Sequence, residues 1–201
     1  MLTVVGMGPG SPALMTAAAQ AAVAEADVLA GNARHLAQFP EFAGETFALG
    51  ANIAALLAWV TARQAQRVVV LASGDPLLYG IGTRLLAHFG QAQVQIIPGV
   101  SAVHYLCAKV GIDMNGIWLT SSHGREADFN EIVRQPKVAM VTDLHCGPRE
   151  IARELVARGA GDRWLVIGEN LTLENERIHW QRARNVQGQY EMNVVVILNE
   201  R

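Results

Sequence analysis

The chain has 201 residues, of which 51% are hydrophobic and 17% charged, and a formal net charge of −2. A chain of this length can bury roughly 70% of its unfolded surface, as one large domain or two small ones. The charge balance does not favour nucleic-acid binding, and the absence of a long uncharged apolar run or a signal-like N-terminus argues against export and membrane spanning. We therefore expect a soluble, cytoplasmic protein that acts on small molecules.

Strands and helices alternate along the first half of the sequence, which predicts parallel strands joined by right-handed crossovers. The predicted strands are 2–5, 28–30, 67–72 and 94–97, and the predicted helices are 16–26, 52–63, 81–89 and 101–110.

Turn-forming residues interrupt this pattern at GIDMNG (111–116), so we predict an N-terminal α/β domain over residues 1–112 and a C-terminal α/β domain over 113–201. The second half has fewer helices near its end, which predicts a mixed sheet. Its predicted strands are 117–121, 138–142 and 164–167, followed by two more extended runs that end in 193–198, and its predicted helices are 127–134 and 148–158.

Cysteine and histidine spacing gives no sign of a metal site. Cys107 and Cys146 form no CxxC pair, and the six histidines show no HxH or HExxH spacing. We expect two reduced thiols and no metal bound by the protein itself.

Three glycine-containing strings each follow a β-branched run: GMGPG at 6–10, SGDPLLYG at 73–80 and IIPGVSA at 96–102. The carboxyl ends of parallel strands share one edge of the sheet, where open α/β folds bind their ligands. We therefore expect these three loops to meet and to form a cofactor crevice.

The string GMGPG differs from the dinucleotide-binding fingerprint GxGxxG, because Pro9 stands between its last two glycines. Asp27 precedes the second apolar run, whereas the ribose-binding carboxylate of that fingerprint ends it. A nicotinamide cofactor is accordingly disfavoured. A plain strand-to-helix turn is the other interpretation of GMGPG, and Asp-Pro in the second loop also fits an ordinary turn.

Taken together, the strings GMGPGSPALMT (6–16), GDPLLYG (74–80) and PGVSA (98–102) resemble the tetrapyrrole methylases, which use S-adenosylmethionine. The resemblance extends over essentially the whole chain. Within the family, SSHGR (121–125), GENLTLENERI (168–178) and NVVVI (193–197) resemble the branch that methylates carbon 5 of a cobalt-precorrin in anaerobic cobalamin synthesis.

The resemblance implies two α/β domains with S-adenosylmethionine held in the cleft between them, beside a cobalt-precorrin. By position, the residues expected to contact the cofactor are Gly8, Pro9, Gly74, Asp75, Pro76, Tyr79, Ser101, Ala102, Thr142 and Gly168.

Methyl transfer from a sulfonium to an electron-rich ring carbon demands mainly positioning, so no catalytic nucleophile is expected. Asp75 and His123 are candidates for assisting proton loss. Because corrin precursors carry many carboxylates, we expect His123 and Arg125 to bind them, although a solvated loop is the competing interpretation.

The family resemblance also implies a homodimer. Some relatives carry a second methyltransferase module that acts at carbon 15 and removes a carboxylate, and a separate protein is expected to supply that step here. The alternatives are another member of the family, acting on uroporphyrinogen, another precorrin carbon, diphthamide or ribosomal RNA, and a nicotinamide-dependent oxidoreductase or nucleotide-binding module.

Overall fold

The computed structural model describes residues 1–200, and the chain forms two compact units, Met1–Ser101 and Ala102–Arg201. Among the described residues, no helix is long and apolar enough to span a membrane.

The first unit contains a five-stranded sheet in which every strand pair is parallel, in the order β3-β2-β4-β1-β5. Its strands are β1 (Leu2–Gly6), β2 (Val28–Gly31), β3 (Glu45–Ala48), β4 (Val68–Ala72) and β5 (Val94–Ile97). Its helices are α1 (Ala17–Ala24), α2 (Ala33–Leu36), α3 (Ile53–Thr61) and α4 (Gly82–Phe89), with a 3₁₀ turn at Pro12–Leu14.

The central strands β1, β2 and β4 are buried on both faces of the sheet, as their nearly continuous apolar runs predict. Successive side chains of a strand point to opposite faces. Val4 thus packs in a cluster with Leu56 of α3 and Leu85 of α4, while Val5 packs in another with Val23 of α1. The helices on the two faces leave the ends of the strands as the surface from which loops can reach a ligand.

The second unit contains a mixed sheet in the order β6-β7-β10-β8-β9, in which only the β6–β7 pair is parallel. Its strands are β6 (Trp118–Ser121), β7 (Lys137–Val141), β8 (Trp164–Glu169), β9 (Arg177–Arg182) and β10 (Asn193–Leu198). Its helices are α5 (Ala102–Val110), α6 (Phe129–Ile132) and α7 (Pro148–Ala157), with a 3₁₀ turn at Ala183–Asn185.

The predicted fold class, a parallel N-terminal sheet followed by a mixed C-terminal sheet, is confirmed. The division between the units falls before α5, whereas the predicted boundary at residues 112/113 falls after it. The physical reason is that Leu106 of α5 packs with Val166 and Val196 of the second sheet. The sequence pattern also did not predict α2 and β3, which are only four residues long each.

Candidate functional site

In the first unit, the loops after β1 and β4 are joined by backbone hydrogen bonds. The Gly8 amide donates to the Gly74 carbonyl oxygen over 3.3 Å, and the Gly74 amide donates back to the Gly8 carbonyl oxygen over 2.9 Å. Both glycines have positive φ, +71° and +59°, where a residue with a Cβ is strained. The first two glycine-containing strings therefore form one paired turn at the carboxyl edge of the sheet.

The loop after β5 packs against this pair at a distance that excludes side chains. A Cβ on Gly6 would lie 2.4 Å from the Gly99 backbone nitrogen, and a Cβ on Gly99 would lie 2.3 Å from the Gly74 carbonyl oxygen. Real Cβ atoms do not approach backbone atoms this closely. The structure thus brings the three predicted loops together, and glycine is required at the two positions where the third loop meets its neighbours.

The Asp75 carboxylate fixes the same contact. Its Oδ1 accepts a hydrogen bond from the Leu77 amide over 2.8 Å, and its Oδ2 accepts one from the Gly99 amide over 3.2 Å. Both carboxylate oxygens are therefore engaged with backbone donors, and the side chain ties the second loop to the third.

The other predicted cofactor residues of this unit lie on the same three loops. Pro9 and Pro76 are buried, Tyr79 is half-buried with φ of 56°, and Ser101 is 4% exposed, directly before α5. The buried prolines restrict the backbone of the turns, so the loops are held in one conformation. Within residues 1–200, no cluster of His, Cys, Asp and Glu is suited to hold a metal ion.

A fourth segment, to which the sequence motifs did not point, lies at this edge. Residues 32–38 contain the short helix α2 and follow β2 directly. The Gln38 Nε2 donates to the Gly10 carbonyl oxygen of the first loop over 3.0 Å, and Arg34 Nη2 donates to Ser73 Oγ of the second loop over 3.0 Å. The sequence signal that could have revealed this helix is Asn32 after an apolar strand, because Asn is a preferred first residue of a helix. In the structure its side chain caps α2 by accepting a hydrogen bond from the His35 amide.

His35 is the buried titratable group of this segment, only 1% exposed. Burial lowers its pKa from 6.5 to about 4, with a further lowering contribution from the Arg34 charge, while interaction with the Leu71 backbone opposes the decrease. The imidazole is consequently neutral at neutral pH. Its Nε2 lies 3.4 Å from Ser73 Oγ, the same oxygen that accepts from Arg34.

In the second unit, the string SSHGR forms the turn after β6. The His123 amide donates to Ser121 Oγ over 2.9 Å, and the Gly124 amide donates to Asp143 Oδ2 over 3.3 Å. The same Asp143 carboxylate accepts from the backbone amides of His145 and Cys146. Although burial opposes the change, hydrogen bonds from these amides keep the pKa of Asp143 below its ordinary value. The turn leaves the side chains of His123 and Arg125 exposed.

The remaining predicted cofactor residues of the second unit are involved in internal packing. Thr142 is 9% exposed, and its hydroxyl lies 2.6 Å from the Asn193 carbonyl oxygen. A Cβ on Gly168 would lie 2.9 Å from Leu171 and 3.0 Å from Leu106, so α5 packs directly over this glycine. Ala102 is half-buried at the first position of α5. Thr142 and Gly168 therefore have structural roles within the unit that do not require a ligand.

The family model described as "Tetrapyrrole (Corrin/Porphyrin) Methylases" matches residues 1–186 of this chain. The chain belongs to the tetrapyrrole methylases. The family resemblance carried by the three loop motifs is thereby confirmed, and the chain is a methyltransferase of this family.

Two relatives illustrate which members of the family this chain is similar to in sequence. The chain is 67% identical over 201 residues to the cobalt-precorrin-7 C(5)-methyltransferase of Salmonella typhimurium, and the match covers 100% of both chains. It is 32% identical over 185 residues to the decarboxylating precorrin-6Y C(5,15)-methyltransferase of Sinorhizobium, covering 90% of this chain and 45% of that protein.

Solved structures share the fold. The precorrin-6Y methylase of Archaeoglobus fulgidus superposes with a TM-score of 0.79 at 22% identity, covering 100% of this chain and 99% of that one. The uroporphyrin-III C-methyltransferase of Thermus thermophilus in complex with S-adenosylhomocysteine superposes with a TM-score of 0.78 at 24% identity, covering 98% of this chain and 91% of that one.

The contact at Gly6 is testable by adding one methyl group. We expect Gly6→Ala to lower the free energy of unfolding by about 1–3 kcal/mol, because the new Cβ must displace the backbone of the third loop. Gly50→Ala is the matched control, since a Cβ there meets nothing within 4 Å. The measurement is urea unfolding of both variants, and equal stabilities would contradict the close contact.

The buried neutral His35 makes stability depend on pH. Because its pKa is lowered in the folded protein, the unfolded chain binds more protons between pH 6.5 and about 4, and stability falls as the pH decreases through this window. We expect this group to account for a loss of up to about 3 kcal/mol. His35→Gln should remove that part of the pH dependence in urea unfolding at pH 4 and 7. His88→Gln, at an exposed position, should retain it.

Proposed function

We propose that this protein transfers a methyl group from S-adenosylmethionine to carbon 5 of a cobalt-precorrin in cobalamin biosynthesis, with cobalt-precorrin-7 as the methyl acceptor. The observation that carries the proposal is the 67% identity with a protein named cobalt-precorrin-7 C(5)-methyltransferase over the full length of both chains. The matched region includes all three loop strings and the SSHGR turn.

The first-unit loops suit the proposed cofactor. They are fixed to one another by the Gly8–Gly74 pair and the Asp75 carboxylate, so they can receive a ligand without reordering. Leu77, 50% exposed on the second loop, adds apolar surface beside the polar Asp75 turn. Apolar surface with a few fixed polar groups is the usual lining of a small-molecule site. The relative solved with S-adenosylhomocysteine shares this fold.

The cofactor, when bound, supplies an electrophilic methyl group on a sulfonium. The chain's part is then to hold that methyl in line with the ring carbon, and positioning of this kind can contribute on the order of 7 to 11 kcal/mol. In this proposal Gly8, Pro9, Gly74, Asp75, Pro76, Tyr79 and Ser101 hold the cofactor, together with Ala102, Thr142 and Gly168. Asp75 and His123 stay the candidates for proton acceptance. Of the two, His123 has the exposed side chain.

We also propose that the protein is a cytoplasmic homodimer and that a separate protein methylates carbon 15. The Sinorhizobium relative, which is named for both carbons, matches this chain over only 45% of its own length. Its remaining length offers room for a second module.

The proposed reaction can be tested directly with labelled cofactor. We expect incubation of cobalt-precorrin-7 with S-adenosylmethionine carrying a ¹³C-methyl group to place the label on carbon 5, as located by NMR of the product. Label on another ring carbon would assign the chain to a different branch of the family. Calorimetry with S-adenosylhomocysteine and NAD(P) tests the other class, since tight binding of the dinucleotide alone would favour an oxidoreductase.

Arg125 is proposed as a carboxylate ligand of the macrocycle, with His123 beside it on the same exposed turn. We expect Arg125→Ala to raise the KM for the macrocycle roughly tenfold, because a charge-assisted hydrogen bond is lost. Affinity for S-adenosylhomocysteine should be unchanged. Arg134→Ala is the matched control, since the Arg134 side chain is 74% exposed in the same unit and pairs with Glu131. Equal losses in macrocycle and cofactor affinity would contradict the assignment.

A further inference from the structure

The segment between β2 and β3 brings a guanidinium to the edge where the three loops meet. Arg34 is an exposed residue, and its Nη2 donates to Ser73 Oγ over 3.0 Å. Ser73 directly precedes Gly74, which pairs with Gly8. The cation therefore contacts the residue next to the paired turn, at the carboxyl ends of β2 and β4.

The position of Arg34 is fixed from two sides. Gln38 of the same segment donates to the Gly10 carbonyl oxygen over 3.0 Å, which attaches the segment to the first loop. His35, 1% exposed, anchors the segment in the protein interior, with its Nε2 3.4 Å from Ser73 Oγ. A guanidinium can only donate, so the Ser73 oxygen accepts from Arg34 and can direct its own proton to the neutral imidazole.

Neighbouring protein atoms partly desolvate the guanidinium and lower the pKa of Arg34, although the group stays charged at neutral pH. A partly desolvated cation interacts more strongly with an anion than a fully hydrated one does. Its planar fork of N–H donors matches the geometry of a carboxylate. The site thus combines a fixed cation, reduced hydration and the edge of the sheet at which α/β proteins bind ligands.

We propose that Arg34, held in place by Ser73 and His35, binds a carboxylate of the ligands at this edge. This inference rests on the proposed function, which supplies two ligands with that chemistry: the macrocycle, through its acetate and propionate side chains, and the cofactor, through its amino-acid carboxylate. Arg34 is then a binding residue of the first unit that acts independently of the Arg125 turn of the second unit.

The test is equilibrium binding to Arg34→Ala, with three probes that need no turnover. These are cobalt-precorrin-7, S-adenosylhomocysteine and 5′-methylthioadenosine, the last of which lacks the carboxylate. Loss of a charge-assisted contact should weaken the affected ligand roughly ten- to a hundredfold. A carboxylate of the macrocycle is indicated if only cobalt-precorrin-7 binds more weakly. The cofactor carboxylate is indicated if S-adenosylhomocysteine binds more weakly while 5′-methylthioadenosine does not.

Three further variants separate binding from folding. Arg67→Ala is the matched control, because Arg67 lies at the opposite end of β4 and pairs with Asp27. It should leave all three affinities within about twofold of the wild type. Arg34→Lys should restore part of the lost affinity, since it keeps the charge without the fork. Ser73→Ala should give a smaller loss than Arg34→Ala, and the double variant should lose less than the product of the two single losses.

Affinities of Arg34→Ala within about twofold of the wild type for every probe would overturn the inference, and so would equal weakening of 5′-methylthioadenosine and S-adenosylhomocysteine. Failure of the proposed function has a different signature, because it appears in the wild-type protein as absence of label at carbon 5. The binding experiments are unaffected by that result.

Discussion

The close approach of three backbone loops is the constraint on which the first unit depends. At Gly6 and Gly99 the backbones touch at distances that leave no room for a Cβ, and the Asp75 carboxylate accepts from the Gly99 amide across the same contact. Each of these features needs the others, since the glycines permit the approach and the carboxylate holds it. Three turns that would be separate in an open sheet edge become one rigid surface.

The carboxyl edge of the second unit is built differently. There the polar side chains bind the backbone of neighbouring turns, as Asp143 does with the amides of Gly124, His145 and Cys146. Thr142 and Gly168 are likewise occupied by contacts within the unit. The side chains of His123 and Arg125 are among those left exposed, which suits contact with a charged ligand. Close contacts between the backbones of three loops therefore distinguish the first edge, whereas the turns of the second edge are held by a carboxylate that accepts from backbone amides.

Features with a strong local signal were predictable from the sequence. The apolar run VVVLA indicated β4, and a glycine cluster after each of three such runs indicated the converging loops. Neither α2 nor β3 was predicted, because the β3 string ETFA is mostly exposed and has no apolar run, and α2 is only about one turn long. The pairing of Arg34 with Ser73 was not predictable either, since these residues lie 39 positions apart. The hydrogen bonds from the Leu77 and Gly99 amides to Asp75 were not predicted, since the sequence pointed to Asp75 only as a cofactor contact and a candidate for assisting proton loss.

This use of Asp75 bears on how the reaction is divided between the chain and its substrate. Both oxygens of this carboxylate accept from backbone amides, so the side chain is engaged in holding the second and third loops together. In the proposed reaction an electron-rich macrocycle provides the nucleophilic carbon itself, which leaves the loops to do the positioning. The buried, neutral His35 fits the same division, since a group that is uncharged at neutral pH can support Ser73 and Arg34 without exchanging protons with the ligand.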